Sequence, residues 1–134
     1  MPYAIGIVLG LATAGIATVA GLDRDRAFYP TVLIVVGFYY VLFSVMDPSR
    51  SALVAECLVA GGFLLVAVVG FRTNLWLVAA ALAGHGTFDL VHSGLIDNAG
   101  VPSWWPAFCM SIDVTLAVAM ALRMMRRSDL VRPA

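Results

Sequence analysis

The chain has 134 residues, 62% of them hydrophobic and 12% charged, about half the charged share of a soluble domain. Eight basic residues, all arginine, balance eight acidic ones, so the charge points to no nucleic acid partner. The two cysteines, Cys57 and Cys109, both fall inside apolar stretches; they argue against a disulfide framework and read as small buried hydrophobes.

Five apolar segments follow one another in the chain. The first covers residues 3–22 and ends in the run Asp23-Arg24-Asp25-Arg26. The second covers 29–46, opened by Pro30 and closed by Asp47-Pro48, where Asp47 reads as an N-cap. The third covers 51–71, the fourth 75–95 and the fifth 104–122, with a short basic tail over 123–134. About 20 residues at 1.5 Å each cross a ~30 Å hydrocarbon core, and a segment in lipid must satisfy its backbone internally, hence as helix. The expected fold is an all-α integral membrane protein, one domain of five transmembrane helices in a compact bundle.

The arginines set the expected orientation. Arg24 and Arg26, Arg72, and Arg123, Arg126, Arg127 and Arg132 share one side of a five-span chain, against Arg50 alone on the other. Positive charge stays inside, which predicts an outer N-terminus, a cytoplasmic C-terminus, and residence in a bacterial cytoplasmic membrane. The first segment lacks a basic leader, its arginines following the apolar run, so it reads as a span and not as a cleaved signal. Trp104 and Trp105 outside, with Tyr29 and Trp76 inside, read as interfacial anchors. Short loops predict that successive helices pack as antiparallel neighbours. Gly6, Gly10 and Ala14, Gly61 and Gly62, and Gly84 and Gly86 read as close-packing positions.

The fourth segment contains His85-Gly-Thr-Phe-Asp89-Leu-Val-His92. At about 100° per residue these three ionisable groups share a helix face. An Asp at the bilayer centre costs roughly 2.5–3.5 kcal/mol on insertion scales, so such groups are rare there and mark sites. By the expected topology Asp89 lies about 9 Å below the outer end of its helix, Glu56 near 8 Å and Asp113 near 14 Å. Glu56, His85, Asp89, His92 and Asp113 therefore gather in the outer half of the bilayer and should face one another. Of Tyr39 and Tyr40, one is expected to hydrogen-bond into the cluster and the other to meet lipid or packing. Asp97 and Asn98 read as turn residues, with 96–103 a cover over the site mouth.

Two histidines with three carboxylates form a ligand set suited to one divalent metal, zinc or iron. Cys109, one turn before Asp113, offers a thiolate. Di-metal bundles pair Glu-x-x-His helices; only one helix of that kind occurs here, so one metal is expected. Membrane hydrolases of the ceramidase and progestin-receptor type resemble this chain in holding zinc through His and Asp, with seven helices and a different His spacing. Emopamil-binding-type sterol isomerases are similar in having five spans with intramembrane acids and His. Neither resemblance rests on a shared motif, so no residue role follows from it. Glycine-rich phosphate loops, a nucleophile elbow and a CxxC pair are absent from the sequence.

The leading expectation is a membrane-embedded enzyme, a metal-dependent hydrolase or oxidase or an acid–base isomerase. Asp89, His85, Glu56 and Asp113 would carry catalysis on a lipid or isoprenoid, with membrane lipids as partners and no constraint on homo-oligomer formation. Two other classes compete. A proton- or cation-coupled transporter subunit would need polar groups in the inner half, where Thr13, Thr18 and Thr31 stand almost alone. A ligand-binding protein with a polar structural core would need no chemistry at all.

Overall fold

The computed structural model describes residues 1–46 and 49–131, with side chains through residue 126. Its elements are α1 (Pro2–Ala20), α2 (Phe28–Met46), α3 (Arg50–Arg72), α4 (Leu75–Leu95) and α5 (Trp105–Val131), with no strand among the described residues. The helix ends have local causes. Gly21 stops α1 by taking a left-handed conformation (φ 77°), its N–H turning back to the Thr18 carbonyl. Ser49 caps α3 by accepting from the Ala52 N–H, and Asn74 caps α4 by accepting from the Trp76 N–H. The cap expected at Asp47 lies outside the described residues.

Four helices are long and apolar enough to cross a membrane: α1, α2, α3 and Trp105–Arg126 of α5. The fifth expected span, α4, is 21 residues long and carries His85, Asp89 and His92, and it is not among those four. All three are buried, so the face that α4 turns outward is more apolar than its sequence average. Around the bundle, large apolar side chains such as Ile16, Val45, Leu58, Leu65, Leu90 and Val118 are exposed. So many exposed large apolar side chains suit hydrocarbon better than water. Helix α5 runs on to Val131, into the stretch expected as a basic tail. Leu122 ends the apolar run, but Arg123, Met124, Met125 and Arg126 are good helix formers and propagate the helix.

Helix α4 lies at the centre of the packing, against α5, α3 and α2, while α3 also packs along α2. The first helix departs from the expected order, because α1 packs chiefly on α5 and not on α2. Its buried face is Gly6, Gly10, Ala14 and Ala17, spaced three or four apart and flat enough for close approach. A Cβ at Gly6 would collide with Ser111 Oγ and stand 2.5 Å from the Phe108 carbonyl oxygen. At Gly10 it would stand 2.9 Å from Thr115 Cβ. Helix α2 offers no such complementary seat, because it turns Leu33, Val36, Gly37 and Tyr40 inward toward α3 and α4. The α1–α2 connection therefore bridges the end of the bundle. Asp23 is ion-paired with Arg123 of α5 at 2.7 Å, and Arg26 donates to the Phe71 carbonyl (3.0 Å) at the C-terminal end of α3.

Other sequence expectations shift with this packing. Gly86 meets α5 at the Met110 carbonyl, 3.1 Å from a Cβ placed on it, but Gly61, Gly62 and Gly84 face open space. The interior register of α3 passes instead through Ala52, Glu56, Ala60, Ala67 and Gly70. Cys57 is exposed on the outer face of α3, and only Cys109 is buried. Trp76 and Trp104 are exposed as anchors would be, whereas Tyr29 is buried in the core. Trp105 packs edge-on against Tyr39 and Phe43, with ring centroids 5.1 and 4.9 Å away.

Candidate metal centre

Spacing along α4 builds the site. His85, Asp89 and His92 are all turned inward with exposures of 1%, and each meets a different helix. His85 reaches α5, where its Nδ1 lies 2.6 Å from Asp113 Oδ2. Asp89 turns toward α2 and accepts a 2.7 Å hydrogen bond from the Tyr40 hydroxyl on Oδ1. His92, two turns beyond His85, reaches α3, its Nε2 lying 2.7 Å from Glu56 Oε1. The five groups expected from sequence are thus all buried, and they resolve into two sets.

The inner set is His85, Asp89, Cys109 and Asp113. One ligand atom from each lies within 4.8 Å of the other three, and all four residues are buried. His85 Nδ1 stands 3.7 Å from Asp89 Oδ2, and Cys109 Sγ stands 3.9 Å from Asp113 Oδ2. Asp89 Oδ2 and Asp113 Oδ1 are enclosed without hydrogen-bond partners, which is costly for a carboxylate unless a cation or proton compensates. Cys109 reaches this set because it sits one helical turn from Asp113 on α5. Sequence reading gave it only as an available thiolate.

The second set is Glu56, His92 and Asn98. Glu56 Oε1 is hydrogen-bonded with His92 Nε2 and accepts from Asn98 Nδ2 at 2.8 Å, while Oε2 is buried and unpartnered. Asn98 further donates to the Tyr40 carbonyl at 3.2 Å, and its Oδ1 accepts from the Gly100 N–H. Two ligands from one helix pair do not complete a metal site, so Glu56 and His92 stand beside the inner set and not in it. Asn98 is the functional candidate that sequence reading placed merely in a turn. Its signal was local: Gly100 permits the connection to lie on the backbone of α2, where a Cβ would collide with the Phe43 carbonyl oxygen.

Tyr40 stands between the two sets. Its ring is stacked on His92 with centroids 4.0 Å apart and planes 22° from parallel, while its hydroxyl bonds Asp89. This is the tyrosine expected to join the cluster; Tyr39 takes the packing role, against Trp105. Phe63 of α3 closes the far side of His85 edge-on, at 4.8 Å between centroids. Compared with known proteins, the chain matches no family model, no curated protein and no solved structure.

Proposed function

We propose that this chain is a five-span membrane protein, N-terminus outside and C-terminus in the cytoplasm, in which His85, Asp89, Cys109 and Asp113 hold one divalent metal. The carrying observation is the convergence of four buried ligand atoms within 4.8 Å of one another, two of the residues keeping an unpartnered carboxylate oxygen. Ligands around a tetrahedral ion bound at about 2.0–2.3 Å stand roughly 3–4 Å apart, a spacing that small side-chain movements reach from here. Imidazole, carboxylate and thiolate together favour zinc or iron over magnesium or calcium. Charge supports the same reading. A divalent cation cancels two of the three negative charges that Asp89, Asp113 and a ligating Cys109 thiolate would otherwise place in an apolar interior.

The reading extends to chemistry on a lipophilic substrate, a lipid or isoprenoid, reached from the outer leaflet. A divalent metal in such a site would polarise a substrate oxygen or activate a bound water. His85, Asp89 and Asp113 would fix its position, and the aromatic rings of Tyr40, Phe63 and Phe88 would keep bulk water away. A transport role is less well supported. From Asp113 and His85 to Asp23 at the arginine-bearing end, the core consists of apolar residues including Leu33, Val78, Leu82, Leu116 and Met120, which offer an ion or proton no relay.

Elemental analysis of the purified protein tests the proposal. One zinc or iron per chain is expected. It should be lost in His85→Ala and Asp113→Asn and weakened in Cys109→Ala, with helix content unchanged. Metal-free wild-type protein, with those variants melting as low as a core-packing variant, would show the group to be structural.

A further inference from the structure

The metal reading leaves unexplained why a second buried polar set lies so near the first. Asp89 is held on one oxygen only, by Tyr40, and its other oxygen lies on the His85 side. Tyr40 is 1% exposed, in a helix whose other buried residues are mostly apolar, and a buried tyrosine hydroxyl needs a partner. Its closest ring contact is the stack on His92 and its backbone carbonyl accepts from Asn98, both of the second set, while Phe43, Phe88 and His85 stand farther round the ring, at 6.4, 6.2 and 6.1 Å between centroids. Asn98 in turn bonds Glu56, which bonds His92. The ring of contacts closes on itself, and its hydrogen bond to the inner set is the one from the Tyr40 hydroxyl to Asp89.

We infer that Tyr40 is the positioning residue of the metal group, fixing Asp89 so that Oδ2 faces His85 and Asp113, and that Glu56, His92 and Asn98 are the buttress that holds Tyr40 in place. The inference rests on the metal reading. Partners that orient metal ligands in this way typically carry 10–100-fold in metal affinity. The buttress also reaches the α4–α5 connection, so a substitution at Asn98 acts on a metal group it does not touch.

The test is a Co²⁺ titration of the full-length protein, purified in detergent, stripped with chelator and followed by visible absorption. Tyr40→Phe keeps the ring and its stack, so it should melt close to wild type, bind Co²⁺ about 10–100-fold more weakly, and shift the absorption bands. Asn98→Ala should weaken binding in the same direction by a smaller factor. In an Asp89→Asn background Tyr40→Phe should cost nothing further, because it acts through Asp89. Tyr40→Leu, which loses the ring as well, should melt well below Tyr40→Phe.

Wild-type affinity and bands in Tyr40→Phe would overturn the inference while leaving the metal reading intact. So would a full additional loss in the Asp89→Asn background, or a Tyr40→Phe that melts as low as Tyr40→Leu. A wild-type protein that binds neither Co²⁺ nor Zn²⁺ would overturn the metal reading, and Tyr40's role with it.

Discussion

Asp23 and Arg123 meet across the end of the bundle, carboxylate oxygen to guanidinium nitrogen at 2.7 Å, with the Asp23 side chain fully buried and that of Arg123 about one quarter exposed. Thr18 adds a 2.8 Å hydrogen bond to the other carboxylate oxygen of Asp23. The pair ties the α1–α2 connection to the last helix. Arg26, three residues on, reaches back over the carbonyls that end α3. A cation at a helix C-terminus is favourable there. These contacts hold the bundle together at the end away from the His85, Asp89, Cys109 and Asp113 group.

Removing one member of that pair should therefore lower stability without changing metal content. Asp23→Ala is expected to cost about 1–3 kcal/mol, between the values for exposed and for fully buried pairs. Arg123→Ala should cost a similar amount or slightly less, since its head keeps some contact with solvent. Melting in detergent, with metal content measured on the same samples, checks both. A loss of metal at unchanged melting temperature would contradict this account.

Two glycines of α1 make a matched pair. Gly10 faces Thr115 and the Ile112 carbonyl of α5, where a Cβ would stand only 2.9 Å from the nearest atom, whereas a Cβ at Gly15 would touch nothing within 4 Å. Gly10→Val should cost about 1–3 kcal/mol by overpacking, and Gly15→Val should lie within about 0.5 kcal/mol of wild type. Melting temperatures of the two variants provide the comparison. Equal destabilisation would mean that α1 does not seat on α5 through this face.

The arginine distribution makes a prediction about topology. Arg24, Arg26, Arg72, Arg123 and Arg126 fall at one end of the helices and Arg50 at the other. A reporter fused after Ala134 should be active only if it works in the cytoplasm, and one inserted between Gly100 and Pro102 only if it works outside. Activity of a periplasmic reporter at the C-terminus would reverse the orientation.

Much of this architecture is written in short-range pattern. All five helices occur where apolar runs of adequate length occur, and the 85, 89, 92 spacing places three polar groups on one buried face because helix geometry is local. What sequence left hidden depends on which helix meets which. The face of α1 that carries Gly6 and Gly10 was plain, but nothing in it says that the complementary surface lies on α5. The division of the ionisable groups into a His85–Asp113 set and a Glu56–His92 set follows from α4 turning one histidine toward α5 and the other toward α3. Asn98 resembles any turn asparagine until the connection is seen folded inward, with the residue buried. The continuation of α5 past Leu122 is not something an apolar run records. Hydropathy marks where lipid would end, and a helix need not end with it.

The seating of α1 on α5 bears on how the molecule is made. Helix α1 is synthesised before its neighbour α5, with some eighty-five residues between them, roughly 4–17 s of elongation at about 5–20 residues per second. During that interval the groove formed by Gly6, Gly10 and Ala14 has nothing to receive, while α2, α3 and α4 can already assemble. Completion of the bundle waits on the arrival of Ser111 and Thr115. A ribosome that stops at Pro102 would release a chain with that groove bare and with His85 and Asp89 lacking Cys109 and Asp113, so the synthesis of α5 both closes the bundle and completes the buried four-residue group.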